Sequence, residues 1–89
     1  MGDNMVAQRL IVEVVDENNQ PIDHVEIIAV DSSNERNIMG MTDYKGIASM
    51  NWLDKSNTSY SFTIYAIKNR VTTVAYNVKS DYVMTIRNL

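Results

Sequence analysis

Apolar residues recur at every second position through most of this chain, and this alternation is the feature that most limits its fold. The first example is Leu10, Val12 and Val14, which share one face of a strand predicted over residues 8–16. An α-helix would need apolar residues three and four positions apart, and the chain does not follow that spacing. The composition agrees, since ten Val, nine Ile and six Thr far outnumber five Ala and three Leu. The sequence therefore predicts an all-β protein.

Turn-forming residues divide this pattern into short strands about ten residues apart. We predict a loop over residues 16–21, where Pro21 lacks the amide hydrogen that a β-ladder needs. We also predict a tight hairpin over residues 42–46, with two structural turn residues: Asp43 can cap the turn, and Gly46 can adopt a positive φ. Strands of this kind without intervening helices favour an antiparallel β-sandwich. The seven predicted strands are residues 8–16, 24–31, 37–42, 47–52, 60–67, 71–78 and 82–89, with a polar crossing over residues 53–59.

Length and charge narrow the functional classes. The 89 residues suit a single domain, which we divide into an N-terminal arm over residues 1–7 and a sandwich over residues 8–89. The eight basic residues are scattered among eleven acidic ones, which argues against nucleic acid as a partner. The absence of cysteine excludes disulfides, thiolate metal sites and a cysteine nucleophile. The sequence shows neither a bilayer-spanning apolar run nor a signal-peptide layout, so we expect no membrane partner and no export.

Three segments carry a family resemblance. Residues 14–22, Val-Val-Asp-Glu-Asn-Asn-Gln-Pro-Ile, resemble an opening strand and its D-x-x-G-x-P-(L/I) loop, with Asn19 at the glycine position. Residues 42–46, Thr-Asp-Tyr-Lys-Gly, match a T-D-x-x-G turn, and residues 60–64 resemble the strand that follows a G-x-Y corner. Together the segments resemble the carboxypeptidase regulatory-like and collagen-adhesin B-type domains. The resemblance implies a seven-stranded antiparallel immunoglobulin-like β-sandwich of the transthyretin-like type.

Two chemistries occur among the domains that this chain resembles, and we expect neither of them here. Some members form a spontaneous Lys–Asn isopeptide bond from a lysine on the first strand, and the first predicted strand has no lysine. Others are small hydrolases with several histidines and a Tyr-Arg-Gly-Ser tail. This chain has His24 as its one histidine and ends Ile86-Arg87-Asn88-Leu89.

Candidate chemical sites are few. His24 beside Asp23, with Ser32 or Ser33 as nucleophile, can be assembled on paper, but no nucleophile elbow supports it. A lone histidine cannot form a three-ligand zinc site without carboxylates. We predict that the chain is not an enzyme and has no catalytic residue, no cofactor and no metal site.

Two groups of side chains keep an alternative open. Loop carboxylates could gather around calcium, or they could be solvated turn residues. The aromatic side chains could stack against sugars, or they could belong to the core and its corners. The carboxylates are Asp16, Glu17, Asp23, Asp31 and Asp43, and the aromatic residues are Tyr44, Trp52, Tyr60, Tyr65, Tyr76 and Tyr82.

The first two strands are apolar on both faces. One register points six residues into the core: Leu10, Val12, Val14, Val25, Ile27 and Ala29. The residues that then point outward include Ile11, Val15, Ile28 and Val30. A slip of one residue would only exchange one apolar set for the other. The outward set is covered either by residues 1–7 or an edge strand, or by a partner protein. We therefore predict these four residues as a candidate interface.

By elimination, the sequence predicts a non-catalytic structural and interaction module that serves as a small accessory subunit of a larger assembly. The most concrete form is a capsid auxiliary (decoration) protein of a phage or virus, located in the virion. Its partners would be capsid protein or copies of itself, which is an analogy at the level of the fold. The alternative is a sugar- or surface-binding β-sandwich module of a bacterial cell-surface protein.

Overall fold

The computed structural model describes residues 5–31, 36–55, 60–78 and 82–85. These residues form two β-sheets that enclose one core, which confirms the predicted all-β class and its sandwich layout. No helix among them is long and apolar enough to cross a membrane. Residues 1–4 of the predicted arm and residues 86–89 of the predicted last strand lie outside the described residues. The strands are β1 (Met5–Val15), β2 (Glu26–Asp31), β3 (Arg36–Met41), β4 (Ile47–Lys55), β5 (Phe62–Lys68), β6 (Val71–Val78) and β7 (Tyr82–Thr85).

The strands divide into a three-stranded sheet with the order β4-β1-β7 and a four-stranded sheet with the order β3-β2-β5-β6. Neighbouring strands pair antiparallel, apart from β1 and β7, where Val12 to Val15 pair in parallel with Tyr82 to Thr85. This pairing departs from the wholly antiparallel arrangement that we predict from sequence. A parallel pair needs a long connection, and here nearly the whole chain lies between the two strands.

Strand boundaries differ from the prediction mainly in the three-stranded sheet. β1 begins at Met5, inside the segment predicted as an arm, because Met5 to Ala7 pair with Lys55 to Leu53 of β4. β4 accordingly continues to Lys55, so the polar crossing predicted from Leu53 is wrong for its first residues. Leu53 and Lys55 lie on the side of the sheet that faces water, and the inward Asp54 has the Tyr60 hydroxyl and Arg36 as partners, so these residues do not interrupt the strand.

The core lies between the two sheets and follows the predicted alternation. The inward residues of β1 and β2, and Val25 just before β2, are fully buried. This excludes the alternative register, in which the same residues would face outward. Because each large aliphatic side chain contributes about 1.5 to 3 kcal/mol when buried, this cluster holds the fold together without disulfides. The buried cluster consists of Leu10, Val12, Val14, Val25, Ile27, Ala29, Ala48, Met50, Phe62, Ile64, Ala66 and Val78.

The turn over residues 42–46 crosses from one sheet to the other. The predicted hairpin is wrong, because β3 pairs with β2 while β4 pairs with β1. The carboxylate of Asp43 accepts hydrogen bonds from the amides of Lys45 and Ile47, and Gly46 has a φ of 73°. The local turn chemistry is therefore that of a tight reversal, although the strands it joins are not neighbours in a sheet.

Candidate functional site

The four residues predicted as an interface lie on two different faces of the sandwich. Ile11 and Val15 are on the outer side of β1, in the three-stranded sheet, and both are half-buried. Ile28 and Val30 are on the outer side of β2, in the four-stranded sheet, and are also half-buried. Because the core separates the two sheets, the structure does not bring the two pairs together.

An apolar row crosses the outer face of the four-stranded sheet. Met39 on β3 pairs with Ile28 on β2, Ile28 pairs with Tyr65 on β5, and Tyr65 pairs with Val74 on β6. Met39 is 71% exposed and Tyr65 is 36% exposed, while the other two side chains are half-buried. We call Met39, Ile28, Tyr65 and Val74 the apolar row. It gives this face a continuous apolar surface across all four of its strands.

Polar residues flank the apolar row on both sides along the strands. Toward one end, Glu26 lies in register between Met41 and Ile67. Toward the other end, Val30 lies between Asn37 and Thr63. An apolar centre with a mixed rim is the usual organisation of a protein–protein interface.

The outer face of β1 and β4 is more polar. Ile11 pairs with Ser49, and Glu13 pairs with Ile47, so apolar and polar residues alternate across the two strands. Residues 5–7 pair with β4 and are therefore part of this sheet rather than a cover for either outer face. Of the two faces that the sequence singles out, the face of the four-stranded sheet is the stronger candidate site.

Sequence reasoning missed three of the four members of the apolar row. It includes Ile28 but leaves out Met39, Tyr65 and Val74, because the spacing within a strand does not reveal which residue of another strand lies beside it. A usable signal was nevertheless present. Met39 and Met41 are large apolar residues at alternate positions of a short strand, on the side opposite the half-buried Ile38.

His24 lies at the surface beside Asp23, one part of the catalytic arrangement that can be assembled on paper. Its Nδ1 atom lies 3.2 Å from Asp23 Oδ2, and Lys68 Nζ lies 3.4 Å from Asp23 Oδ1. The hydrogen bond to His24, followed by that to Lys68, lowers the pKa of Asp23. The His24 side chain is 77% exposed and precedes β2, a location that fits a role at the end of a strand. Ser32 and Ser33 lie outside the described residues.

The loop carboxylates do not gather into a metal site. Asp16 Oδ1 accepts hydrogen bonds from two amides of its own loop, and Asp43 Oδ1 accepts two within its turn. Asp31 is buried at the opposite end of β2 from Asp23. In the described part of the chain, no group of three or more His, Asp or Glu residues could hold a metal ion.

Trp52 and Tyr60 pack against the core and do not form an exposed platform for sugars. The Tyr60 ring stacks on Phe62 with a centroid distance of 5.5 Å, and Trp52 stands edge-on to both rings. Their ring surfaces are therefore used within the protein.

A chain of polar contacts runs from these rings to the surface. Trp52 Nε1 donates to the Tyr60 hydroxyl at 3.2 Å, and the Tyr60 hydroxyl donates to Asp54 Oδ2 at 2.9 Å. Arg36 lies 3.0 Å from the same Asp54 oxygen. Burial raises the pKa of Tyr60, whereas the amide of Lys55 and then the Tyr60 hydroxyl lower the pKa of Asp54. These contacts hold the end of β4 against the segment that leads into β5.

A second candidate site is an open groove of about 560 Å³ beside the turns. Tyr44 is 77% exposed there, and Lys45 Nζ lies 5.6 Å from the centre of its ring. The groove offers an exposed aromatic ring and side chains of both charges, and a ligand could contact each of these groups. Its lining residues are Glu13, Val15, Asn19, Pro21, Tyr44 and Lys45.

No known family model and no curated protein matches the chain. The resemblance to carboxypeptidase regulatory-like and collagen-adhesin B-type domains therefore stays a prediction.

Proposed function

We propose that this protein is a non-catalytic interaction module that docks onto another protein through the outer face of its four-stranded sheet. The apolar row is the observation that carries the proposal, because it exposes Met39 on the edge strand β3 and part of Tyr65 on the central strand β5. Contiguous exposed apolar surface on a small protein usually marks an interaction site. Methionine and tyrosine are also enriched at protein interfaces.

The chemistry of this face favours a protein surface as the occupant. Glu26 is the one charged residue among the described residues of the face, so the partner would present an apolar centre with a hydrogen-bond donor opposite this carboxylate. A sugar would need several polar contacts at the centre of the site. The apolar row supplies only the Tyr65 hydroxyl.

In its most concrete form, the proposal is that the chain is an accessory subunit of a larger assembly, namely a capsid auxiliary (decoration) protein in the virion of a phage or virus. The immunoglobulin-like, transthyretin-like fold type belongs to the same proposal. Two backbone conformations support the proposed fold type. Gly46 has a φ of 73°, and Asn19, which stands where the loop of the resembling domains carries glycine, has a φ of 62°. Both residues therefore adopt the left-handed conformation that the two motifs require.

The docking proposal is tested by co-sedimentation with capsid shells, assembled from the major capsid protein encoded nearest to the gene of this chain. Met39→Lys is expected to abolish co-sedimentation, because the ammonium would lose its hydration in an apolar contact. Its thermal midpoint should stay unchanged, since the Met39 side chain is largely in solvent. Ile28→Lys, at the half-buried centre of the face, should also abolish co-sedimentation.

Leu53→Lys is the matched control, because Leu53 is 61% exposed and lies on the outer face of the other sheet. This variant should bind the shells as the unaltered chain does. Binding by Met39→Lys at the unaltered level, or a loss seen only with Leu53→Lys, would contradict docking through the four-stranded sheet. Failure of the unaltered chain to bind shells would contradict the capsid form of the proposal.

A second candidate is a sugar- or surface-binding module, and the groove beside Tyr44 is the observation that favours it. An exposed aromatic ring with adjacent charged groups can stack against a sugar and bind its hydroxyls. Glycan-array binding that is lost in Tyr44→Ala and retained in Met39→Lys would support this candidate. Binding to capsid shells that is lost in Met39→Lys and retained in Tyr44→Ala would support the first candidate.

A further inference from the structure

The edge strand β6 has one register shift, beyond Ala75, and its preceding residues Val71 to Ala75 lack the features that usually protect a sheet edge from other chains. Its eight residues, Val-Thr-Thr-Val-Ala-Tyr-Asn-Val, include no charged residue and no proline, and most are β-branched or aromatic. Within the described residues β6 is the last strand of its sheet. Its side away from β5 therefore presents a row of backbone N–H and C=O groups. Natural proteins commonly protect such a row with lysine, proline, bulges or a very short strand.

The other edge strands are better protected. β3, at the opposite edge of the same sheet, contains Arg36 and lies in contact with β4. β4 carries Asp54 and Lys55 near its end, and β7 is four residues long. Of the described edges, β6 is the one most open to pairing with another strand.

The regular part of β6 has a clear centre. Val71 to Ala75 pair without interruption with Lys68 to Ile64 of β5, and the register shift comes only beyond Ala75. Thr73 is the middle residue of this stretch and is half-buried, in register with the buried Ala66. A partner strand could therefore align along five regular residues.

We propose that two copies of this chain pair antiparallel through β6, about a two-fold axis at Thr73, and join their four-stranded sheets into one sheet of eight strands. This register sets Thr73 opposite its own copy, Thr72 opposite Val74, and Val71 opposite Ala75. A charged residue on the axis would face its own copy, and β6 has no charge anywhere. Threonine pairs and β-branched pairs across strands are favourable.

A second copy fits this edge better than an unrelated strand for a reason of symmetry. In a two-fold interface both edges are satisfied at once by strands of the same length and composition. Pairing also brings the two apolar rows side by side, because Val74 ends the row on β6. The proposal uses the edge of the sheet, so it goes beyond docking through the face and does not depend on it.

The experiment is sedimentation equilibrium on the full chain across micromolar concentrations, with two neighbouring threonines as test and control. Thr73→Lys would place two ammonium groups opposite each other at the axis, so the dimer dissociation constant should rise by more than about 100-fold. In the monomer the introduced side chain can extend past the open edge into water. Thr72→Lys lies on the exposed outer face opposite Val74 and should change the dissociation constant by less than about threefold.

Hydrogen exchange on the unaltered chain keeps the proposal testable if Thr73→Lys fails to fold. The β6 amides that point away from β5 should become protected as the protein concentration rises. Met39→Lys should sediment as the same dimer, which separates a failure of edge pairing from a failure of docking through the face. A monomeric unaltered chain, exchange that is independent of concentration, or a Thr73→Lys dimer as stable as the original would each overturn the proposal.

Discussion

Val14 and Gly46 lie so close that the amide of Val14 donates to the carbonyl oxygen of Gly46 at 2.7 Å, while a β-carbon on residue 46 would sit 2.5 Å from the carbonyl oxygen of Val14. The same β-carbon would lie 3.0 Å from Pro21 Cβ and 3.2 Å from the amide nitrogen of Ile22. The turn between the sheets is thus packed against β1 and against the loop that leads to β2. Glycine is required here by both its φ and its lack of a side chain.

Gly46→Ala is therefore expected to lower the free energy of unfolding by at least about 2 kcal/mol, from left-handed strain together with a backbone clash. Gly40→Ala is the control, because no positive φ is involved there and its β-carbon would meet a side chain, with Met50 Cγ at 2.8 Å, rather than backbone. Its effect should be smaller than that of Gly46→Ala. Equilibrium urea unfolding measures both, and equal losses in the two variants would show that the Val14 contact is not responsible.

Thr42 is a buried hydrogen-bonding centre, and its loss should be costly. Its hydroxyl accepts from the amide of Val25 at 2.9 Å and donates to the carbonyl of Ile22 at 2.8 Å. Thr42→Val keeps the shape but leaves both backbone groups without this partner, so we expect a loss of about 2 to 4 kcal/mol. Thr42→Ser restores the hydroxyl and should lose only about 1 kcal/mol. Thermal and urea melts that rank serine below valine would contradict this account.

The two-residue turn between β5 and β6 can be improved. Asn69 and Arg70 have φ values of 52° and 66°, and Lys68 pairs with Val71 around them. Such a turn favours Asn-Gly, because arginine is strained at positive φ. Arg70→Gly should therefore raise the free energy of unfolding by about 0.5 kcal/mol or more. Asn69→Gly should leave the free energy of unfolding nearly unchanged. A gain in stability confined to Asn69→Gly would contradict the assignment of the strain to Arg70.

The contacts of Asp54 predict a pH dependence of stability. Its pKa is lowered in the folded protein, by the amide of Lys55 first and the Tyr60 hydroxyl second. The stabilisation is thus present above the unfolded pKa and is lost as the pH falls through the lower, folded pKa. Between about pH 5 and pH 2, Asp54→Asn should flatten the pH dependence of the melting midpoint relative to the unaltered chain. Parallel curves for the two proteins would contradict this assignment.

Tyr60→Phe is the intermediate case for the same measurement. It removes the second of the two hydrogen bonds and leaves the Lys55 amide in place. The slope of its pH dependence should therefore lie between those of the unaltered chain and Asp54→Asn. A slope equal to that of Asp54→Asn would mean that the hydroxyl, rather than the amide, is the main cause of the lowered pKa.

The candidate site was only partly predictable from the sequence. Alternation correctly places Ile28 and Val30 on the outer side of β2, and it does the same for Ile11 and Val15 on β1. It also groups the four as one candidate interface, which the structure separates into two faces. The reason is that β1 and β2 follow each other in the chain but belong to different sheets.

What the sequence determined by itself is local. A period of two identifies the strands and their inward sides, and the Asp-x-x-Gly turn sets its own hydrogen bonds and positive φ, since each depends on residues close in the chain. The tertiary structure decided which strands are neighbours, that the turn over residues 42–46 crosses between sheets, and that Met39, Ile28, Tyr65 and Val74 form one row. Pairing register joins residues far apart in sequence, and it is selected by the packing of the whole core rather than by any single segment.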